Sequence, residues 1–573
     1  MKFRWSLAPP QPLLAEQLAR ELGLSPLLAQ CLLNRGMNDP SGIGGFLQPR
    51  LKHLADPFLL PDMERAVERL FCAREQKEPL VIFGDYDVDG VSSTALLLEV
   101  LQKLGWAVQG YLPHRIDEGY GLSSDSVENC LKKFPASLLL AVDCGSTSVQ
   151  AITTLKERGV DVIVLDHHQV TDPPPPAVAL VNPQLAPEAG PRFTELCSVG
   201  LAFKLAHALV KRGRETGLPG AAEFDLRLLL DLVALGTIAD IVPLTGENRI
   251  LVATGLERLN STQRPGLVAL KKVARTPQPL GTYEVGFQLA PRLNAAGRLE
   301  TAEDALNLLR APTMEQAMPL ALKLDASNRE RQKLERGIVE EVIATVQNRF
   351  KPEEDFVIVE GQSPWHIGVV GIVAARVLQQ FYRPTIIVGG DGEQWRGSGR
   401  SIAGFDLAAA LRECSDLLVR HGGHAMAAGL AIDPSKIEPF KARFNEVARR
   451  SLNAESLERP LRLDAEVGLD EMTLPSLAAL DRLRPQGQGN PAVQFVARSL
   501  AHERPLRRMG ADKQHVKMWL TDGATVQEAV WWRAGDELPP VGKFDLAFEP
   551  KIERYDGRRF IQLKMLDWRN AAP

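Results

Sequence analysis

The stretch FGDYDVDGVSS, residues 83–93, sets Asp85, Asp87 and Asp89 at alternate positions and follows them with Gly90. Three carboxylates this close repel one another and raise each other's pKa unless cations offset them. The pattern D-x-D-x-D-G opens an EF-hand calcium loop, but that loop needs a bidentate Glu at its twelfth position. The twelfth residue from Asp85 is Leu96, and the preceding PLVIFGD (79–85) is an apolar β-type run rather than a helix. The calcium reading fails, which leaves one half of a catalytic metal site. If the strand stays extended through its acids, alternate side chains project to one side, so the three carboxylates face one crevice. Gly90 then lets the chain turn sharply into the next helix.

Working outward, two further apolar runs end in the same kind of residue. LLLAVDCG (138–145) carries Asp143 near its end, and DVIVLDHH (161–168) ends on Asp166, His167 and His168. Between the runs lie helical candidates, SSTALLLEVLQKLG (92–105) and TSVQAITTLKERG (147–159), each closing on a capping-type glycine. Buried strands alternating with helices predict a parallel sheet covered on both faces, with its site at the carboxyl ends of the strands. Asp240 closes a helical run over 226–240 and adds a further carboxylate. Mixed oxygen and nitrogen donors suit Mn²⁺, Mg²⁺ or Fe²⁺ better than a closed cysteine zinc site. Two ions bridged by a carboxylate about 3.5–4 Å apart are suited to in-line displacement at phosphorus.

Composition limits the setting. The 573 residues predict several domains, and 45% hydrophobic with 24% charged residues is ordinary globular usage. No stretch reaches the roughly 18 apolar residues of a membrane span, and the N-terminal MKFRWSLAPPQPLLAEQ lacks a signal peptide's apolar core. The six cysteines are scattered without a CxxC pair, so reduced core thiols and a cytoplasmic protein are expected. A net charge of −4 argues against bulk attraction to nucleic acid and leaves room for a local basic groove.

Residues 1–50 read as a helical, proline-punctuated extension, and 51–312 as the α/β domain. Within 313–350, Leu334, Ile338, Val342 and Val346 form a stripe at i+4 spacing on a long charged helix, which reads either as a surface helix or as a connector between lobes. Strand-like runs resume over 351–454 with Gly-rich RGSGRSIAG and HGGHAMAAGL. From 455 to 573, alternating runs such as HVKMWLTDG and RRFIQLKMLDW predict an all-β domain, a small barrel.

In this order GDYDVDG, AVDCG, LDHH and ALGTIADIVPL resemble the four signatures of the DHH phosphoesterase superfamily. PHRIDEGYGL (113–122), PRLNAAGRL (291–299), WHIGVVGIVAAR (365–376), GSGRS (397–401) and GGHAMAAGL (422–430) resemble the bacterial RecJ family of single-strand-specific exonucleases. The resemblance runs from about residue 50 to the C-terminal β domain. It implies a parallel-sheet DHH catalytic lobe, a long connector helix, a smaller α/β DHHA1 lobe and an OB-fold domain that grips DNA. Ser146 stands where an aliphatic residue is common and Ser198 where glycine is usual. Neither is expected to touch a ligand, so both bear on packing rather than chemistry.

Carried over by position, the resemblance implies that Asp85 and Asp87 hold one Mn²⁺ or Mg²⁺ ion and Asp89, His167 and Asp240 the other, with Asp143 bridging. His168 lies beside the scissile phosphate. Asp166 either orients an imidazole or makes a strand-end hydrogen bond. The resemblance also implies that Ser398, Arg400 and an arginine of PRLNAAGR, preferably Arg298, capture the 5′ phosphate, with Ser401, Arg292 and Asn294 in the same two motifs and Arg376 at the end of WHIGVVGIVAAR. By the same resemblance Arg115 is expected along the substrate path and Gly422, Gly423 and His424 on the substrate side of the second lobe, while Tyr120 reads as a candidate for base stacking. Trp531 and Trp532 read as core residues, with base stacking as the alternative. The implied activity is 5′→3′ hydrolysis of single-stranded DNA to 5′-mononucleotides in repair and recombination. The implied setting is a monomer whose partners are single-strand-binding protein and a recombination helicase. Two other readings are an oligonucleotide or cyclic-dinucleotide phosphodiesterase, which generally lacks the added barrel, and a non-catalytic replication scaffold that has lost ligands.

Overall fold

Short runs without polar alternation suit strands covered on both faces, and three of them form the middle of a parallel sheet of five strands. The five are β1 (Leu80–Gly84), β2 (Val108–Tyr111), β3 (Leu138–Val142), β4 (Asp161–Leu165) and β5 (Ala179–Val181). Leu80, Ile82, Leu138, Leu140 and Ile163 face one core, and Val81, Phe83, Leu139, Ala141, Val162 and Val164 face the other. The strand order is β2-β1-β3-β4-β5. From β1 the chain proceeds to β2 on one side, while β3 lies on the other. A crevice therefore opens at the carboxyl ends of β1 and β3, the switch point where ligands bind in open α/β sheets. Helices α1 (Val88–Lys103), α2 (Ser198–Thr216) and α3 (Leu230–Ala239) pack together in the first core, buried over most of their length.

The computed structural model describes residues 3–114, 118–119, 121–185, 193–390, 392–535 and 537–571. The chain forms two compact units, one of residues 39–329 and 482–492, the other of 1–38, 330–481 and 493–573. Among the described residues, no helix is long and apolar enough to cross a membrane.

Residues 482–492 join the first unit although the chain on both sides of them belongs to the second. The buried Arg249 is one tie, beside the Leu244 amide on the Gln488 carbonyl and the Thr282 hydroxyl on the Gln486 carbonyl. Nε of Arg249 donates to the Phe46 carbonyl at 2.8 Å, Nη1 to Leu483 and Pro485, and Nη2 to Arg482 and Arg484. The guanidinium also stacks 3.6 Å over the Phe46 ring. A fork of N–H donors is matched here by a fan of backbone carbonyls.

In the second unit, β6 (Ile358–Gln362), β7 (Thr385–Gly389), β8 (Trp395–Arg400), β9 (Arg420–His424) and β10 (Ala427–Ile432) form a sheet of order β9-β10-β8-β7-β6. The long helix α5 (Met314–Arg349) buries Ile338, Val342 and Val346 against the apolar face of the helix Val370–Phe381. Leu334 departs from the expected stripe and is 37% exposed. Its turn instead carries the buried Arg331–Glu335 ion pair at 2.8 Å.

The N-terminal segment is not wholly helical. Arg4–Leu7 is a strand paired in parallel with Pro460–Leu463. The β domain contains β11 (Phe495–Met509), β12 (His515–Thr521), β13 (Val526–Trp531), β14 (Phe544–Tyr555) and β15 (Arg558–Asn570). They run β11-β12-β13-β15-β14, and β14 pairs back on β11 to close a barrel. Closure removes free strand edges. Trp532 lies outside this core at 48% exposure, packed edge-on against His515.

Candidate metal centre

The acids after β1 are not arranged as an extended strand. The strand ends at Gly84 and the helix begins at Val88, because Asp87 caps it: Oδ1 of Asp87 accepts the amides of Asp89 at 2.9 Å and Gly90 at 3.1 Å. Asp89 therefore points from the first helical turn. Gly90 is needed for close approach rather than for a turn, since a Cβ there would sit 2.6 Å from the Asp85 carbonyl oxygen.

Asp143 follows β3 with φ +64, a left-handed conformation uncommon for a residue other than glycine. Its carboxylate is shared by two groups of possible donors, Asp85–Asp87–Asp143 and Asp143–His167–His168, while Asp89, Asp240 and Cys197 make a third. Within each group the donor atoms lie within 4.8 Å of one another. Nε2 of His167 stands 3.6 Å from Asp143 Oδ1, 3.6 Å from Asp240 Oδ2 and 4.0 Å from Asp89 Oδ2. All six residues assigned to metal by the motifs thus meet at the switch point.

Among the described residues, the buried His167 Nε2 and Asp240 Oδ2 make no hydrogen bond. Buried polar atoms without partners are costly and rare. Together with the surrounding carboxylates they form a hard oxygen and imidazole donor set, which fits Mn²⁺ or Mg²⁺.

The electrostatics agree with this fit. Burial, then the charge of Asp87, lifts Asp89 to about 7. Burial, then Asp89 and Asp87, lifts Asp240 to about 9. Burial, followed by the neighbouring carboxylates led by Asp89, drives Asp143 well above the ordinary range. Burial and the adjacent His168 push His167 down to about 4, which leaves a neutral imidazole with a lone pair to offer.

Asp166 is engaged differently. Its Oδ1 meets His168 Nδ1 at 2.8 Å and accepts the amides of His167 and His168, and Oδ2 accepts the Ser146 amide at 3.0 Å. Burial opposes its ionisation, but these bonds, led by His168, hold it below the usual carboxylate range. Burial likewise opposes the His168 cation, and the Asp166 bond and charge overcome it and lift His168 to about 9. Both sequence readings of Asp166 describe its geometry: it accepts three main-chain amides at the strand end and also meets the His168 ring.

Ser198 overturns an expectation. Its hydroxyl donates to Asp143 Oδ1 at 2.8 Å, and its amide and that of Val199 donate to the two Asp89 oxygens at 2.7 and 2.8 Å. Ser146 also belongs to the site, through its amide on Asp166 and its Oγ, which accepts Asn182 Nδ2 at 2.8 Å. Cys197, Ser198 and Asn182 were not foreseen as site residues. The unusual serines in DCGSTS and CSVG were the available signal.

Helix α4 (Ala290–Leu299) carries PRLNAAGR. Oδ1 of Asn294 accepts the Val88 amide at 3.0 Å, fastening the start of α1. Arg292 is ion-paired to Asp325 at 2.8 Å, and Arg298 lies half-buried in the last turn. In the second unit, Arg400 Nη1 donates to Ser398 Oγ at 3.0 Å, and β10 places Gly429 opposite both Ser398 and Gly422. Ser401 is turned inward, its Oγ donating to the Phe405 carbonyl, and Arg376 is paired with Glu335 at 3.2 Å. Nδ1 of His424 accepts the Met426 amide. Arg115 and Tyr120 lie outside the described residues.

A parallel sheet with acids and a double histidine at its switch point defines a class, and known families give it a name. The model described as DHH family, N-terminal domain, matches residues 79–237, the DHHA1 domain matches 354–450, and the RecJ OB domain matches 463–567. The single-stranded-DNA-specific exonuclease RecJ of Bacillus subtilis is 37% identical over 572 residues, which cover 99% of this chain and 71% of the relative. That of Haemophilus influenzae is 37% identical over 534 residues, covering 90% of this chain and 92% of the relative. The crystal structure of Thermus thermophilus RecJ in complex with Mn²⁺ superposes with a TM-score of 0.84 at 31% identity, covering all of this chain and 80% of that one. A Mg²⁺ complex of the same protein gives 0.79 at 29%. The chain belongs to the RecJ family.

Proposed function

We propose that this chain is a divalent-metal-dependent exonuclease that degrades single-stranded DNA from its 5′ end to 5′-mononucleotides, in DNA repair and recombination. The observation that carries the reading is the meeting of Asp85, Asp87, Asp89, Asp143, His167 and Asp240 at one switch point, with Asp143 shared between two donor groups. Relatives named as single-stranded-DNA-specific exonucleases, and a relative's crystal structures with Mn²⁺ and with Mg²⁺, support the substrate and the cofactor.

Asp85 and Asp87 would hold one ion, Asp89, His167 and Asp240 the second, and Asp143 both. Two such ions supply Lewis acidity toward water and the phosphate oxygens. The protein's own contribution is positional and electrostatic. Asp87, capping α1, fixes the angle from which Asp89 enters, and Asn294 locks the same turn. His168, whose ring Asp166 meets at 2.8 Å, would present a hydrogen-bond donor to a phosphate oxygen. Ser398 and Arg400, with Arg298, are assigned to the terminal phosphate, Arg115 and Tyr120 to the strand, and Gly422, Gly423 and His424 to the substrate side of the DHHA1 lobe. A single-strand-binding protein and a recombination helicase are the proposed partners.

The test is a 5′-phosphorylated single-stranded oligonucleotide labelled at its 3′ end, incubated with Mn²⁺ and the protein beside Asp143→Ala. Stepwise shortening from the 5′ end, missing in the variant and on blunt duplex, is expected. An intact oligonucleotide with folded parent protein would overturn the reading and redirect it to dinucleotide substrates or a scaffold role.

A further inference from the structure

Residue 198 makes contact with two carboxylates through two different donors. Its main-chain N–H, at the first turn of α2, bonds Asp89 Oδ2 at 2.7 Å, while its side-chain hydroxyl bonds Asp143 Oδ1 at 2.8 Å. The residue is fully buried. The amide bond to Asp89 comes with the helix terminus, and any residue except proline would supply it. The bond to Asp143 belongs to the serine alone.

Asp143 is the side chain on which this second donor acts with most effect. It is the carboxylate common to two donor groups, it stands 3.6 Å from His167 Nε2, and its backbone is held left-handed at φ +64. A carboxylate that serves two ions must present both oxygens in one orientation. A hydroxyl on Oδ1 restricts rotation about its last torsion and occupies one lone pair, leaving a defined set for cations. Hydrogen bonds from neighbouring groups to metal-binding side chains set orientation and donor strength, and their loss lowers affinity by about 10–100-fold.

We infer that Ser198 is a positioning residue for the metal centre: its hydroxyl sets the orientation of Asp143 and thereby the affinity and pairing of the two ions. This rests on the metal-site reading above. Ser198 touches no reacting atom. Its role is confined to Asp143, so it changes how ions are held rather than which bond is broken.

The experiment compares Mn²⁺ binding to the full-length parent, Ser198→Ala, Ser198→Gly and Ser198→Thr. Calorimetry gives affinity and stoichiometry, and the electron paramagnetic resonance signal of bound Mn²⁺ reports whether two ions are magnetically coupled. Alanine and glycine keep both amide bonds to Asp89 and remove only the hydroxyl, whereas threonine keeps it. The weaker ion is expected to lose about tenfold in affinity in Ser198→Ala and Ser198→Gly and to stay within about threefold in Ser198→Thr. The coupled signal should diminish at Mn²⁺ concentrations that saturate the parent. A purely structural role predicts a lower unfolding temperature in EDTA with unchanged Mn²⁺ affinity, and that outcome overturns the inference. Asp143→Ala separates the two levels. If it loses an ion while Ser198→Ala binds like the parent, only the role of Ser198 falls. If Asp143→Ala also binds like the parent, the metal-site reading itself falls.

Discussion

Nδ1 of His168 lies 2.8 Å from Oδ1 of Asp166, and the same Asp166 oxygen accepts the His168 amide, so one carboxylate holds both ends of that residue. Burial alone would discharge the imidazole, yet the Asp166 contact lifts its pKa to about 9. In metal-free protein, the His168 resonance followed by NMR should titrate near that value. In Asp166→Asn it should titrate at least about one unit lower, because a neutral amide removes the charge that holds the proton. With Mg²⁺ present, the same substitution should lower kcat by about 10²-fold near neutral pH. An unchanged titration would remove Asp166 from this role.

The centre also ties stability to pH. Asp89 and Asp240 have folded-state values of about 7 and about 9, above the ordinary carboxylate value. Between the unfolded and folded values, the folded metal-free protein holds more protons than the unfolded chain, so its stability falls as pH rises through that window. Cations bound at these carboxylates would remove the penalty. The gain in unfolding temperature on replacing EDTA by saturating Mn²⁺ should therefore be at least about 3 °C larger at about pH 8 than at about pH 5.5. Equal gains at both pH values would contradict this linkage.

Gly90 is confined by the Asp85 backbone at 2.6–2.8 Å from where a Cβ would stand. Gly90→Ala should destabilise the protein by about 1–3 kcal/mol in urea unfolding and weaken Mn²⁺ binding as the Asp85 segment shifts. Wild-type stability in this variant would show that the loop gives way freely.

Neighbouring glycines in the second unit should separate. A Cβ on Gly422 meets nothing within 4 Å, whereas Gly423 has φ +141 and its Cβ would lie 2.5 Å from the Ala427 carbonyl oxygen. Gly422→Ala should leave thermal stability within about 0.5 kcal/mol of the parent, and Gly423→Ala should cost about 1–3 kcal/mol. If both substitutions are equally tolerated, the β9–β10 turn is less constrained than its geometry indicates.

Arg249 fastens residues 482–485 to the first unit through four of their carbonyls. Arg249→Met removes the guanidinium donors, leaving Asn490 Nδ2 to serve the Leu483 and Pro485 carbonyls at 2.7 and 2.8 Å, and should cost about 1–3 kcal/mol. Limited proteolysis should then cut within 482–492 before other segments. Loss of stability without that early cut would assign Arg249 a general packing role.

What could be read along the chain was whatever depends on near neighbours. Strand and helix alternation and the placing of Asp85, Asp143 and His167 at strand ends follow from periodicity within short windows, and the family was reached through the resemblance of the motifs. These were enough to name six candidate donors that the fold brings together and to reject calcium at Leu96. Local reading erred where a hydrogen bond changed the outcome. Asp87 caps a helix two residues earlier than an extended strand would allow, and the Arg331–Glu335 pair occupies the turn of α5 where Leu334 was expected to be buried. Tertiary structure alone decided the rest. Ser198 reaches Asp143 from 55 positions away, and Arg249 reaches Pro485 from 236. Sequence pattern records the apolar faces that drive elements together. It does not record which donor then meets which acceptor, because that is settled by the approach of whole elements at hydrogen-bond distance.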